Sequence, residues 1–238
     1  MSQICRADHL TKTYRKETVL QDISFTVDEG DILGVIGGNG SGKTTLFRLL
    51  AGVNTPDSGK AVLFDGNGCT GKYLGALIEK PNIIYGMTGM DNMRYFGRLM
   101  GTDDEEMFRD RLTVMGLIDV ADKKVYTYSL GMRQRLGIAI ALIGDIKLLI
   151  LDEPFNGLDN EGVLTLEEKI LELNKKRNIT VIMSSHTMSE MAKLCRRYIV
   201  LRHGRIMCRI EEDEVTSMKQ DAVMLERYIT DKMMEMEG

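Results

Sequence analysis

Ile32-Leu33-Gly34-Val35-Ile36-Gly37-Gly38-Asn39-Gly40-Ser41-Gly42-Lys43-Thr44-Thr45 is the stretch that decides how this chain folds. Its first five residues lack the polar alternation of a half-exposed strand, which predicts a strand covered on both faces. A glycine-rich loop follows, and residues 43–51 then read as a helix. Gly37 to Thr44 fits the pattern Gly-x4-Gly-Lys-Ser/Thr in the strand–loop–helix setting that the pattern requires. Glycines let the backbone curl so that successive N–H groups face inward around phosphate oxygens, and the helix N-terminus adds partial positive charge at the same place. The stretch therefore predicts a nucleoside triphosphate site built from Gly37, Gly38, Asn39, Gly40, Ser41, Gly42, Lys43, Thr44 and Thr45. Lys43 would reach the β- and γ-phosphates, and the Thr44 hydroxyl would ligate Mg2+.

β-type runs at residues 4–10 and 19–27 precede this loop. Similar runs return at residues 148–151, 180–184 and 198–201. Between the first two of these, Val163, Leu166, Ile170 and Leu173 share one face of a helix, with Glu172 and Lys176 paired on the other. Residues from about 85 to 145 change character, with helical periods, an acidic start at Asp103-Asp104-Glu105-Glu106, and many Met and Arg. Strands alternating with helices predict a mostly parallel α/β core, here carrying a helical insert.

Lys147-Leu148-Leu149-Ile150-Leu151-Asp152-Glu153-Pro154 reads as a second buried strand that ends in two adjacent carboxylates. Neighbours on a strand point to opposite sides, so these acids cannot do the same job. Asp152 suits the Mg2+ shell, and Glu153 suits polarising a water in line with the γ-phosphate. Together with the phosphate loop they describe a nucleotide hydrolase without saying which kind.

Tyr128-Ser129-Leu130-Gly131-Met132-Arg133-Gln134-Arg135 discriminates further. Ser129 reads as a helix N-cap with Gly131 in the first turn, and residues 136–143 are apolar enough to be buried. A Ser at a helix start is a second place where N–H groups can meet an anion. The segment resembles the Leu-Ser-Gly-Gly-Gln signature of ABC ATPases, and the resemblance extends over nearly the whole chain. Asn156-Gly157-Leu158-Asp159 resembles the family's D-loop, and His186, after Ser184 and Ser185, stands where the family has its switch histidine. Tyr14, in Leu10-Thr11-Lys12-Thr13-Tyr14, stands where the family stacks an aromatic ring on adenine.

The resemblance implies an α/β fold: a P-loop NTPase core of mostly parallel sheet, an N-terminal antiparallel β subdomain and an inserted α-helical signature subdomain. It implies one ATPase domain over residues 1–238, with the core at 1–84 and 146–210 and the helical subdomain at about 85–145. It also implies ATP and Mg2+ as cofactors, Glu153 and His186 as catalytic residues, and ATP hydrolysis coupled to transmembrane transport. In such ATPases two domains pack head to tail, so Ser129, Gly131 and Met132 of one chain would face the γ-phosphate bound to the other. The expected partners are a second copy of the chain, joined on ATP binding, and separately encoded transmembrane permease subunits. These would dock around residues 79–92, where Ile83, Ile84, Tyr85 and Met87 are expected to be exposed. The expected location is cytoplasmic, peripheral on the inner face of the cell membrane.

Three departures from the family pattern stand out. Leu130 replaces a Gly and Met132 replaces the Gln of the signature, so the Met side chain is expected to pack rather than hydrogen-bond. In Gly75-Ala76-Leu77-Ile78-Glu79-Lys80-Pro81, Glu79 occupies the place of the family's Q-loop Gln, and no Gln occurs between Gln21 and Gln134. A Glu oxygen can ligate Mg2+, but it brings additional negative charge near the nucleotide. This segment, followed by Met87-Thr88-Gly89-Met90-Asp91-Asn92-Met93, resembles the subgroup serving bacitracin- and lantibiotic-type peptide exporters. Export of a small peptide-like substrate is the resulting expectation. The alternative is a soluble ABC-type ATPase without a transporter, such as one in Fe–S assembly.

Composition sets the outer bounds. With 238 residues, 43% hydrophobic and 28% charged, the chain can bury a large α/β core, which excludes a disordered or fibrous protein. Lys and Arg total 31 against 35 acidic residues, a net charge of −4, so no basic field favours a nucleic-acid partner. Cys5, Cys69, Cys195 and Cys208 show neither Cys-x-x-Cys spacing nor a neighbouring His, which predicts reduced thiols rather than a zinc site or disulfides. The start has no secretory pattern, and the apolar stretch 136–151 is broken by Asp145 and Lys147, so a soluble chain is expected. Val215, Met218, Ala222, Leu225, Ile229, Met233 and Met236 recur at helical steps, which predicts one amphipathic helix over about 211–236, packed on its own domain.

Overall fold

A computed structural model describes residues 2–64, 70–186, 188–218 and 221–237, excluding the side chains of residues 70, 71, 233 and 235–237. β1 (Gln3–Tyr14) and β2 (Glu17–Asp28) form a long antiparallel hairpin. β3 (Ile32–Ile36) leads through the glycine-rich loop into α1 (Lys43–Leu50). β4 (Ser58–Leu63), α2 (Thr70–Tyr73) and β5 (Leu74–Leu77) follow. The helices α3 (Gly89–Leu99), α4 (Glu105–Val114) and α5 (Leu130–Ala141) come next. The chain continues through β6 (Leu148–Leu151), α6 (Asn160–Arg177), β7 (Thr180–Ser185) and α7 (Met188–Met191). It closes with β8 (Arg197–Arg202), β9 (Arg205–Ile210), α8 (Glu212–Met218) and α9 (Ala222–Glu237).

The described strands form two sheets. The antiparallel one has the order β2-β1-β4, and the other has the order β5-β6-β7-β3-β8-β9. Every pairing in the second is parallel except β8 with β9. The fold is thus α/β, with an N-terminal antiparallel sheet beside a mostly parallel one, as the resemblance implied.

The unalternating apolar strands are explained by two separate cores. On β6, Leu149 and Leu151 face the cluster built with the helices α3 to α6, whereas Leu148 and Ile150 face the cluster built with α1 and the antiparallel sheet. Alternate residues go to opposite faces, and here both faces are covered. Helix starts follow local chemistry: Asp104, Ser129 and Asp159 cap α4, α5 and α6 by accepting from the backbone N–H three residues on.

The helical arm presses closely on the parallel sheet at one point. A Cβ built on Gly75 of β5 would lie 2.1 Å from the carbonyl oxygen of Ala141, the last residue of α5. Backbone cannot yield as a flexible side chain does. Gly75→Ala is therefore expected to cost about 1–3 kcal/mol or more, lowering the melting temperature by roughly 3–10 °C. An unchanged thermal melt would contradict this close approach.

Three strands escape sequence reading. β4 is buried only at Leu63, β5 has only four residues and contains a glycine, and β9 is held chiefly by antiparallel pairing with β8. The C-terminal expectation needs correction as well. Residues 211–236 form two helices rather than one, because Asp221 starts α9 afresh by accepting from the N–H groups of Val223 and Met224. Val215, Leu225 and Ile229 are buried as expected, while the side chains of Met233 and Met236 lie outside those described. Glu214 of α8 accepts from the Tyr228 hydroxyl of α9 and pairs with Lys232. Lys232 first, then Tyr228, hold its carboxyl down to about 2.

Cys5, Cys195 and Cys208 are free and buried, and Cys69 lies outside the described residues. Burial pushes the Cys5 thiol up to about 12, which makes it unreactive. Among the described residues, no helix is long and apolar enough to cross a membrane.

Candidate active site

Strand register gathers the chemistry at one edge of the parallel sheet. Ile36 pairs with Ser185, Leu151 with Met183, and Leu77 with Leu151. The segments after β3, β5, β6 and β7 therefore emerge together at the carboxyl ends of their strands, where open α/β sheets bind ligands. They bring the phosphate loop, Glu79, the Asp152–Glu153 pair and His186 to the same place.

The loop itself is shaped for anions. Gly40 and Gly42 have φ of 78° and 106°, in the region that side-chain-bearing residues avoid. At Gly38 and Gly40 an added Cβ would meet nothing within 4 Å, so the loop presents bare backbone. Asn39 is exposed at the tip. Ser41 Oγ is buried without a hydrogen-bond partner, an orphaned polar atom in the loop wall. Bare backbone and an unsatisfied hydroxyl fit phosphate oxygens.

Lys43 is 6% exposed, and its Nζ donates to the carbonyls of Gly37 at 2.6 Å and Gly38 at 3.3 Å. The same ammonium lies 3.1 Å from Glu153 Oε1. The other carboxylate oxygen, Oε2, is 2.8 Å from His186 Nδ1. An ionised carboxylate only accepts, so Nδ1 carries the hydrogen of this contact. Thr44 Oγ1 donates to Asp152 Oδ2 at 2.7 Å, and Ser184 Oγ donates to Asp152 Oδ1 at 2.7 Å. Thr45 is half-buried in the first turn of α1.

Asp152 and Glu153 do face different partners, but strand alternation is not the reason. β6 ends at Leu151, and Glu153 has φ of 48°. The turn is held by the Glu153 N–H donating to Ser184 Oγ at 2.9 Å. Ser184 thus orients both acids, a role that sequence reasoning missed. The signal was available only through register, since residue 184 follows Met183, the β7 partner of Leu151.

Glu79, with φ of 64°, lines a cavity of about 530 Å3 together with Thr44, Tyr85, Arg133, Asp152 and Glu153. Its Oε1 is 2.9 Å from Arg48 Nη2, so this carboxylate is held by α1 rather than by Thr44 or Asp152. Thr44 Oγ1 and Asp152 Oδ2 are an adjacent pair of hard oxygens, the donor type that suits Mg2+.

The remaining expected residues stand apart from this cluster. Ser129 is exposed and caps α5 by accepting from Met132 N–H at 3.2 Å. Neither it, Gly131 nor Met132 is among the residues that line the cavity, although Leu130 and Arg133 are. Met132 packs half-buried on the larger core cluster. Asp159 caps α6 through Gly162 N–H at 2.8 Å. Tyr14 is 39% exposed, accepts from Asn54 Nδ2 and carries Lys12 over its ring. Of the four apolar residues expected at the docking loop, only Tyr85 is exposed. Ile83, Ile84 and Met87 are half-buried, Ile83 because it packs on the core.

Comparison with known proteins places this geometry. The sequence profile of the family described as ABC transporter matches residues 20–156. The bacitracin transport ATP-binding protein BcrA of Bacillus licheniformis is 35% identical over 237 residues, covering 98% of this chain and 77% of that protein. The lantibiotic transport ATP-binding protein SrtF of Streptococcus pyogenes is 34% identical over 218 residues, covering 90% and 94%. Among solved structures, cbiO1 from Clostridium perfringens, described as part of the ABC transporter complex cbiONQ, superposes with a TM-score of 0.82. It is 25% identical, with both chains covered in full.

Proposed function

The chain belongs to the ABC transporter family of ATP-binding subunits, and from that premise we propose the roles of its residues, its substrate class and its docking face. It binds ATP with Mg2+ and hydrolyses the nucleotide. As in the family at large, it works as a dimer with separate membrane subunits.

The observation that carries the residue roles is the convergence of Lys43 and His186 on the two oxygens of Glu153, beside the Thr44–Asp152 pair. The backbone of Gly37 to Gly42, with Asn39, Ser41 and Thr45, cradles the phosphates. Lys43 neutralises the β- and γ-phosphates. Thr44 and Asp152 would hold Mg2+, which when bound would supply positive charge against the phosphates. Glu153 accepts the proton of the attacking water, and the Nδ1–H of His186 keeps its carboxylate in line. Ser184 holds the turn that points Glu153 away from Asp152. Tyr14 stacks on adenine.

Ser129, Gly131 and Met132, exposed or half-exposed at the start of α5, serve the nucleotide of a second copy, and Asp159 lies along the same dimer face. A nucleotide touching both chains only when they are closed must favour closure, and its hydrolysis removes that preference. The parts form one cassette over residues 1–238, with the core at 1–84 and 146–210 and the helical subdomain at about 85–145. The C-terminal helices are packed on the core.

The relatives named for bacitracin and lantibiotic transport support export of a peptide-like substrate, chosen by the membrane subunits. The docking face is the cleft between the parallel sheet and the helical arm. Lys80, Asn82, Phe96 and Met100 line it, with exposed Tyr85, Tyr95 and Leu99 available to a membrane partner. In this reading the chain works on the cytoplasmic face of the membrane. Tagged and expressed in its native cell, it is expected to co-purify from detergent-solubilised membranes with a polytopic protein. Recovery from the soluble fraction alone would overturn the transporter reading.

A further inference from the structure

Glu79 stands where a nucleotide site would least tolerate another acid. Because Leu77 pairs with Leu151, Glu79 emerges level with Glu153, and it lines the same cavity as Thr44, Asp152 and Glu153. Three carboxylates thus border the cavity beside the phosphate loop, with Lys80 and Arg133 also in its lining. Asp152 is held by two hydroxyls, and Glu153 by Lys43 and His186. For Glu79 the partner is Arg48, in the last turn of the helix that begins at Lys43.

We propose that Arg48 is a positioning residue for nucleotide binding: by pairing with Glu79 it neutralises that carboxylate and holds it away from the triphosphate. The inference rests on the nucleotide-site reading given above. As a stabilising contact the pair counts for little, since its side chains are 35% and 59% exposed and solvent screens them. Its consequence lies in the charge of the cavity. Without Arg48, an unpaired carboxylate faces the phosphates from a backbone position, φ of 64°, that keeps it at the cavity edge. With Arg48 that carboxylate is paired. The pair also joins the C-terminal end of α1 to the segment after β5, so the compensating charge travels with the phosphate-loop helix.

The test is a double-mutant cycle read by equilibrium titration of a fluorescent ATP analogue with Mg2+, using the full chain. Arg48→Ala is expected to weaken affinity about fivefold at low salt, a difference that shrinks as salt rises. In a Glu79→Gln background the same substitution should change affinity by less than about 1.5-fold, because the charge to be neutralised is gone. Arg48→Lys should restore most of the loss. Equal losses in both backgrounds would show Arg48 acting through α1 alone, and wild-type affinity in Arg48→Ala would show no role in binding. Either result overturns the proposal. Lys43→Ala, titrated in parallel, separates the two readings: unchanged affinity there would remove the nucleotide site itself, whereas its loss leaves the Arg48 result to stand or fall alone.

Discussion

Replacing Glu153 by Gln is expected to slow ATP hydrolysis at least a hundredfold while leaving ATP bound and the protein dimeric. The amide matches the carboxylate in shape, so its oxygen can still accept from the Nδ1–H of His186, 2.8 Å away in the parent. What it cannot do is take a proton from water, and general-base catalysis contributes roughly 10^2–10^4 in rate. Nucleotide affinity moves the other way. Lys43, which lies 3.1 Å from Glu153 Oε1, loses its competing charge and is left for the phosphates. With hydrolysis blocked, the nucleotide that joins two chains persists and mass action keeps them together. Size-exclusion chromatography with ATP and Mg2+ should show a dimer for this variant. A monomer under those conditions, or turnover near that of the parent, would remove Glu153 from the role assigned to it.

Lys43→Ala should act on binding rather than on the chemical step. Lys43 is almost wholly buried and is aimed along its own loop, where its ammonium meets two carbonyls and one carboxylate. Phosphate oxygens are stronger partners than carbonyls, and hydrogen bonds to charged groups contribute about 1.5–3 kcal/mol each. Losing one such contact corresponds to roughly 10- to 150-fold in affinity. The substitution also takes the ammonium away from Glu153, on the edge of a cavity that must accept a polyanion, so the effect falls toward the upper end. A fluorescent ATP titration measures it directly. The stabilisation that Mg-ATP confers in a thermal melt should fall in parallel, because it depends on the ratio of ligand concentration to Kd.

The parts of the site differ in how readily they can be read from residues alone. The glycine pattern from Gly37 to Gly42 is local: positive φ at Gly40 and Gly42 requires residues without a Cβ, and those residues are present. The helix start at Ser129 is equally local, settled by one side chain and an N–H three residues away. The buried strands β3 and β6 are legible because an apolar run without alternation has few other uses. Short or polar strands such as β4 and β5 are not, since what stabilises them is the neighbour across the sheet. The single C-terminal helix expected from periodicity failed for a related reason. The spacing of Val215, Met218, Ala222 and Leu225 is helical throughout, yet it does not register that Asp221 begins a new helix.

Residues within a few positions of one another settle the phosphate loop, the cap at Ser129 and the buried strands, and the order of such local motifs from Tyr14 to His186 settles the family. Only long-range packing sets that Ser184 orients Asp152 and Glu153, that Glu153 departs from strand geometry, and that Arg48 pairs with Glu79. Those contacts join residues about thirty positions apart along the chain, 31 for Arg48 with Glu79 and 32 for Ser184 with Asp152. They exist because parallel strands in register deliver their ends to one edge of a sheet, where α1 also starts from the end of β3 and carries Arg48; no pattern in the residues near either partner specifies that register.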